Sequence, residues 1–192
     1  MPKMATISFG LLNMKAKKAL LVIDMQKGSF TPATPRHDTP GVVSRINALA
    51  AHCRVAGNPV IWIQHDGTAM GEFIPQSPEW DILDELDAKP ENLYIDKYAN
   101  DVFYHSKLAA TLQSMGVEEL YITGCSTDFC VESTIQSALT KDYQITVVKD
   151  GHTTGDRPGL TAKQVIDHYN WVWENMLPTQ GELKVLPADQ LI

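Results

Sequence analysis

Residues 120 to 139 read LYITGCSTDFCVESTIQSAL. The opening run Leu120, Tyr121, Ile122 and Thr123 has the apolar, partly β-branched character of a buried strand, and Gly124 supplies a turn. Thr127 or Asp128 stands where a helix N-cap is wanted, so the stretch predicts strand, turn and helix in close succession. Cys130 then falls in the first helical turn. Unpaired N–H groups and the positive end of the helix dipole favour thiolate there, and hence a nucleophile. A free cysteine is also among the residues most often buried as simple packing, so the choice turns on partners elsewhere in the chain.

Working outward, Ala19-Leu20-Leu21-Val22-Ile23 is an unbroken apolar run, as in a parallel strand buried on both faces, and Asp24 ends it. Val60 to Ile63 repeats the pattern and leads into Gln64, His65, Asp66 and Gly67. A shorter strand is expected from Asn92 to Lys97, and others over Gln144 to Val148 and Leu183 to Leu186. Apolar residues at helical spacing lie between them: Val42 to Cys53, Leu108 to Met115, and Thr161 to Met176. Strands alternating with helices predict an α/β fold, a mostly parallel sheet covered on both faces. Asp24, Lys97 and the loop leading to Cys130 all follow strands. All three therefore fall at the carboxyl edge of the sheet, where open α/β sheets bind ligands.

The 192 residues suit one domain, expected over 17–192, behind a flexible extension over 1–16 without the marks of a signal peptide. A net charge of −7 argues against nucleic acid and anionic membrane as partners. Three cysteines in neither a disulfide framework nor a zinc spacing fit a reducing, cytoplasmic location. After the first strand stands Asp24-Met25-Gln26-Lys27-Gly28 rather than a dinucleotide-binding glycine motif. His65 beside Asp66 offers imidazole and carboxylate, but strand neighbours face opposite ways and a protein metal site wants three ligands or more. No metal and no cofactor is predicted.

Asp24, Lys97 and Cys130 in one cleft suggest covalent hydrolysis. The carboxylate takes the thiol proton, the ammonium steadies the charges, and the sulfur attacks a carbonyl carbon. Taken singly, Asp24 also reads as a capping residue and Lys97 as a solvated surface lysine. Phe30, Gln64, Trp80, Phe103 and Phe129 are candidate pocket walls near the same edge, with core packing as the alternative.

Together, Asp24 after its strand, Lys97 after a short one and the motif GCSTDFCVESTIQSAL resemble the isochorismatase-like cysteine hydrolase superfamily, from about Lys17 to Leu186. The resemblance implies a three-layer α/β/α fold with a six-stranded, Rossmann-like sheet and an Asp24, Lys97, Cys130 triad. It also implies a cis peptide before Ser126 and an oxyanion hole from the backbone N–H groups of Ser126 and Cys130. The substrate implied is a small-molecule amide or carbamoyl compound cleaved through a thioester, and the assembly a homodimer or homotetramer. Cys130 argues against the ether chemistry of true isochorismatases, and Gln64-His65-Asp66-Gly67 departs from the metal-binding pattern of nicotinamidases. The alternative from another class is a binding or scaffolding member that turns nothing over.

Overall fold

Every neighbouring strand pair runs parallel in the sheet of the computed structural model, which describes residues 17–192. The extension expected over 1–16 lies outside the described residues. The strands are β1 (Lys17–Ile23), β2 (Val60–His65), β3 (Leu93–Lys97), β4 (Val117–Cys125), β5 (Gln144–Thr153) and β6 (Leu183–Leu186). Their spatial order is β3-β2-β1-β4-β5-β6. The chain moves outward from β1 on one side, then returns to lay β4 on the other side. That reversal opens a crevice beyond the carboxyl ends of β1 and β4, the usual ligand position in such sheets.

Four helices cover the sheet: α1 (Thr39–Val55), α2 (Leu108–Ser114), α3 (Glu132–Leu139) and α4 (Ala162–Glu174). Alternation along β1 explains the two layers of core. Ala19, Leu21 and Ile23 pack with residues of α2, α3 and α4, whereas Leu20 and Val22 pack with Val42, Ile46 and Leu49 of α1. The expected α/β fold, covered on both faces, is the one observed. Among the described residues no helix is long and apolar enough to cross a membrane.

Two strands outrun their sequence signals. β4 starts three residues before Leu120 and ends at Cys125, and β5 continues through Lys149, Asp150 and Gly151 to Thr153. Pairing supplies what hydrophobic pattern does not, since Gly124 pairs with both Ile23 and His152. The approach at Gly124 is close: φ is +119°, and a Cβ there would lie 2.1 Å from the Ile23 carbonyl oxygen. Only glycine fits. This contact carries the end of β4 tight against β1, and so sets Cys125 and Ser126 beside Asp24.

Candidate active site

Two strand ends and the turn after a third bring three side chains to one point. Lys97, the last residue of β3, is buried, and its Nζ lies 2.7 Å from Asp24 Oδ2 and 3.3 Å from Cys130 Sγ. It also donates to the Ala99 carbonyl at 3.0 Å. Asp24 follows β1 with φ of +48°, and its N–H donates to the Ile63 carbonyl at 3.0 Å, fixing the carboxylate over the junction of β1 and β2. Asp24 Oδ1 is buried and has no hydrogen-bond partner. It is an open acceptor.

Charge distribution follows from burial and proximity. Burial works against the Lys97 ammonium, but the Asp24 carboxylate and the Cys130 sulfur outweigh it, and its pKa is raised. Burial and then the Asp24 charge push the Cys130 thiol upward, against the pull of Lys97. The resting sulfur is accordingly a thiol rather than the thiolate that a helix N-terminus would favour.

The local backbone also departs from the expected helix start. After the cis peptide between Cys125 and Ser126, Thr127–Val131 forms a π-helical turn, and α3 begins only at Glu132. The Ser126 carbonyl accepts from the N–H groups of Phe129 and Val131 at 3.1 and 3.2 Å. Thr127 and Asp128 do not cap the helix, because both are engaged elsewhere. Thr127 Oγ1 is 2.9 Å from His152 Nδ1, and Asp128 accepts from Thr154 Oγ1 at 2.7 Å and from Arg157 Nε at 2.6 Å. Asn170 Nδ2 donates to the Lys149 carbonyl, which turns its Oδ1 toward His152 Nε2 at 3.1 Å. That arrangement puts the His152 proton on Nε2 and makes Nδ1 the acceptor for Thr127. Burial lowers the His152 pKa to about 4, so the ring is neutral. Thr134 Oγ1 adds a bond to the Cys130 carbonyl at 2.6 Å. The cysteine turn is thus held from β5, from α4 and from α3.

A cavity of about 140 Å³ opens on these groups. Asp24, Lys97, Cys130 and Ser126 line it together with Gln26, Ser29, His65, Phe73, Asn100 and Cys125. None of the five aromatic or amide side chains expected as walls lines it. Gln64 is buried, donates to the Trp80 carbonyl at 3.0 Å, and with Trp80 borders a separate cavity of about 460 Å³. Phe103 belongs to the core and stacks on Tyr143, and Phe30 packs on the α1 side. Phe129 points outward, 49% exposed, with the Arg157 guanidinium 5.1 Å from its ring centre.

Strand parity accounts for the exchange of Gln64 for His65. In the β2–β3 register Gln64 pairs with Asp96 and His65 with Lys97, and paired residues of parallel strands share a face. Gln64 and Asp96 accordingly meet at the second cavity, whereas His65 meets Lys97 at the first. That signal is present in the sequence. Phe73 has no comparable one; it lies in the long loop after β2, where Gly28 leaves room for its ring. As for metal binding, Asp66 Oδ1 accepts from the Thr68 N–H and hydroxyl at 3.0 and 2.5 Å, and no cluster of three or more potential metal ligands occurs among the described residues.

Comparison with known proteins places the chain in a family. An isochorismatase domain model matches residues 18–175. Streptothricin hydrolase of Streptomyces noursei is 30% identical over 141 residues, covering 73% of this chain and 51% of that protein. The chain thus spans about half the length of that relative. A ureidoacrylate amidohydrolase of Methylobacterium radiotolerans is 28% identical over 173 residues, covering 71% of this chain and 67% of that one. Among solved structures, an isochorismatase family protein with 31% identity matches with a TM-score of 0.80 over 87% of this chain and 98% of the other. N-carbamoylsarcosine amidase from Thermoplasma acidophilum matches at 0.71 over 90% and 97%; at 22% identity the likeness is one of fold. With a family model spanning most of its length, and relatives named as hydrolases and amidohydrolases, the chain belongs to the isochorismatase family.

Proposed function

We propose that the protein is a cysteine-dependent hydrolase of a small-molecule amide or carbamoyl compound, cleaving a non-peptide C–N bond through a thioester on Cys130. The observation that carries this reading is the meeting of Asp24, Lys97 and Cys130 at one cavity, from the ends of β1 and β3 and the turn after β4, with Asp24 Oδ1 unpartnered beside a neutral thiol. The names of the relatives support the same bond class.

The chemistry follows from the resting charges. As Cys130 Sγ attacks the carbonyl carbon, its proton passes to Asp24, and Lys97 keeps the neighbouring negative charge from being stranded in a buried site. The new oxyanion sits against the backbone N–H groups of Ser126 and Cys130. Collapse of the tetrahedral species breaks the C–N bond, and Asp24 returns the proton to the departing amine. Water then enters, gives a proton to Asp24, and attacks the thioester. Breakage of the C–S bond frees the acid and restores the thiol.

A homodimer or homotetramer is the assembly expected from the resemblance. The cytoplasmic expectation rests on Cys53, Cys125 and Cys130, which are free. A screen for amine or ammonia release over carbamoyl compounds, ureido acids, nicotinamide and lactams, with Cys130→Ala as the blank, tests the activity. Release by the wild type and none by the variant is expected; equal release by both would overturn the reading.

A further inference from the structure

The second cavity, of about 460 Å³, lies on the face of the β2–β3 pair that carries Gln64 and Asp96, away from His65 and Lys97. One wall is shared with the active site. The Trp80 carbonyl accepts from Gln26 Nε2 at 2.9 Å and from Gln64 Nε2 at 3.0 Å, and Gln26 borders the one cavity while Gln64 borders the other. Because that partner is a carbonyl, the Gln64 amide can be turned only one way. Gln64 is only 3% exposed, and its Oε1 accepts no hydrogen bond among the described residues. Unlike Trp80 Nε1, however, Gln64 Oε1 is not sealed from solvent. The surface it keeps is where Gln64 lines the cavity.

Around it, side-chain donors are spent and acceptors are not. The Tyr94 hydroxyl donates to the Lys89 carbonyl at 2.8 Å. The Lys27 ammonium lies 2.7 Å from Asp84 and 3.9 Å from Asp81, so the one positive charge of the lining is already matched. Asp96 makes no ion pair among the described residues; burial and then the Asp66 charge raise its pKa, with Lys107 opposing. The lining thus sets three carboxylates against one ammonium, and its free side-chain groups, Gln64 Oε1 and the Asp96 carboxylate, are acceptors. We propose that this cavity binds a small organic cation with several N–H donors, a guanidinium or alkylammonium, held by Asp96 and Gln64 Oε1 between the aromatic side chains of Trp80 and Tyr94. A bare metal ion fits less well, since no cluster of three or more potential metal ligands occurs among the described residues. The site is separate from Cys130 and does not depend on that residue's role as nucleophile.

Calorimetric titration of the full chain with ethylguanidinium, against N-ethylurea as its uncharged analogue, tests this at fixed ionic strength. Saturable binding of ethylguanidinium is expected, at least about tenfold tighter than that of ethylurea. Asp96→Asn should weaken it about tenfold and Gln64→Leu about fivefold, the losses of a charge-assisted and of a neutral hydrogen bond. The comparison of the two ligands on the wild type needs no variant to fold. Cys130→Ala should bind ethylguanidinium as the wild type does, which separates this proposal from the hydrolase reading. Magnesium chloride should not displace the ligand. No saturable binding, equal binding of ethylurea, or a folded Asp96→Asn protein that binds unchanged would overturn the proposal. Displacement by magnesium would assign the carboxylates to a metal ion, and loss of binding in Cys130→Ala would move the cation to the active-site cavity; either result overturns it too.

Discussion

Lys97 Nζ lies 2.7 Å from Asp24 Oδ2, and both side chains are almost entirely withdrawn from water. Removing one member of such a pair strands the other charge. Lys97→Met is expected to destabilise the fold by about 3–5 kcal/mol. The double variant Asp24→Leu with Lys97→Met should recover most of that loss while remaining inactive, since apolar replacement of a buried pair is often close to neutral. Urea denaturation of the two variants and the wild type checks both expectations.

The three cysteines should differ in reactivity because their surroundings differ. Cys53 and Cys125 are buried, and burial pushes each thiol up to about 11. Cys130 opens on the cavity, yet burial and Asp24 also raise its pKa. Iodoacetamide should label Cys130 before the other two, at a rate that keeps climbing between about pH 7 and 9 instead of levelling off near neutrality. Lys97→Ala should slow the labelling, because the ammonium pulls the thiol the other way. Peptide mapping after timed labelling would show a plateau below pH 7 if a resting thiolate were present.

Acid should weaken the fold before the carboxylates titrate. An unfolded chain protonates His152 near its ordinary value of 6.5, while the folded chain resists until about 4. Stability is then complete above pH 6.5, falls as pH drops through that window, and levels below 4. The loss is on the order of 3 kcal/mol. His65, also lowered by burial, adds a smaller effect of the same sign. Urea midpoints measured from pH 7.5 down to 4.5 should decline steadily, and flat midpoints between 6.5 and 5 would contradict the neutral, buried His152.

Gly124→Ala should be severely damaging. Its Cβ would stand 2.1 Å from the Ile23 carbonyl oxygen, at a φ that side-chain-bearing residues rarely adopt. A loss of roughly 3 kcal/mol or more is expected, from overpacking and backbone strain combined. Thermal denaturation of the variant measures it.

Much of this architecture is legible in the residues, and the exceptions have physical causes. The apolar runs at Ala19 to Ile23 and Val60 to Ile63 announce strands because parallel strands are buried on both faces. Asp24, Lys97 and Cys130 could be brought to one edge from topology alone. The π-helical turn over Thr127–Val131 could not be read, since it depends on His152, Thr154 and Arg157 drawing Thr127 and Asp128 away from the helix end. Phe103, after β3, reads either as a wall near the edge or as core packing, and core is what is observed: the chain there dips inward beside Tyr143. Phe73 was hidden because a loop's path is set by contacts such as its N–H to Glu79 Oε1 at 2.6 Å, which no periodicity records.

Trapping an acyl group on Cys130 tests the thioester most directly. The wild type, mixed with an amide that it turns over and quenched in acid within the first turnover, should gain the mass of the acyl group in place of the thiol hydrogen. Peptide mapping should locate that mass on Cys130, and hydroxylamine should remove it. Cys130→Ala should show neither the adduct nor amine release. A Cys130→Ala protein that releases amine at the wild-type rate would contradict the account.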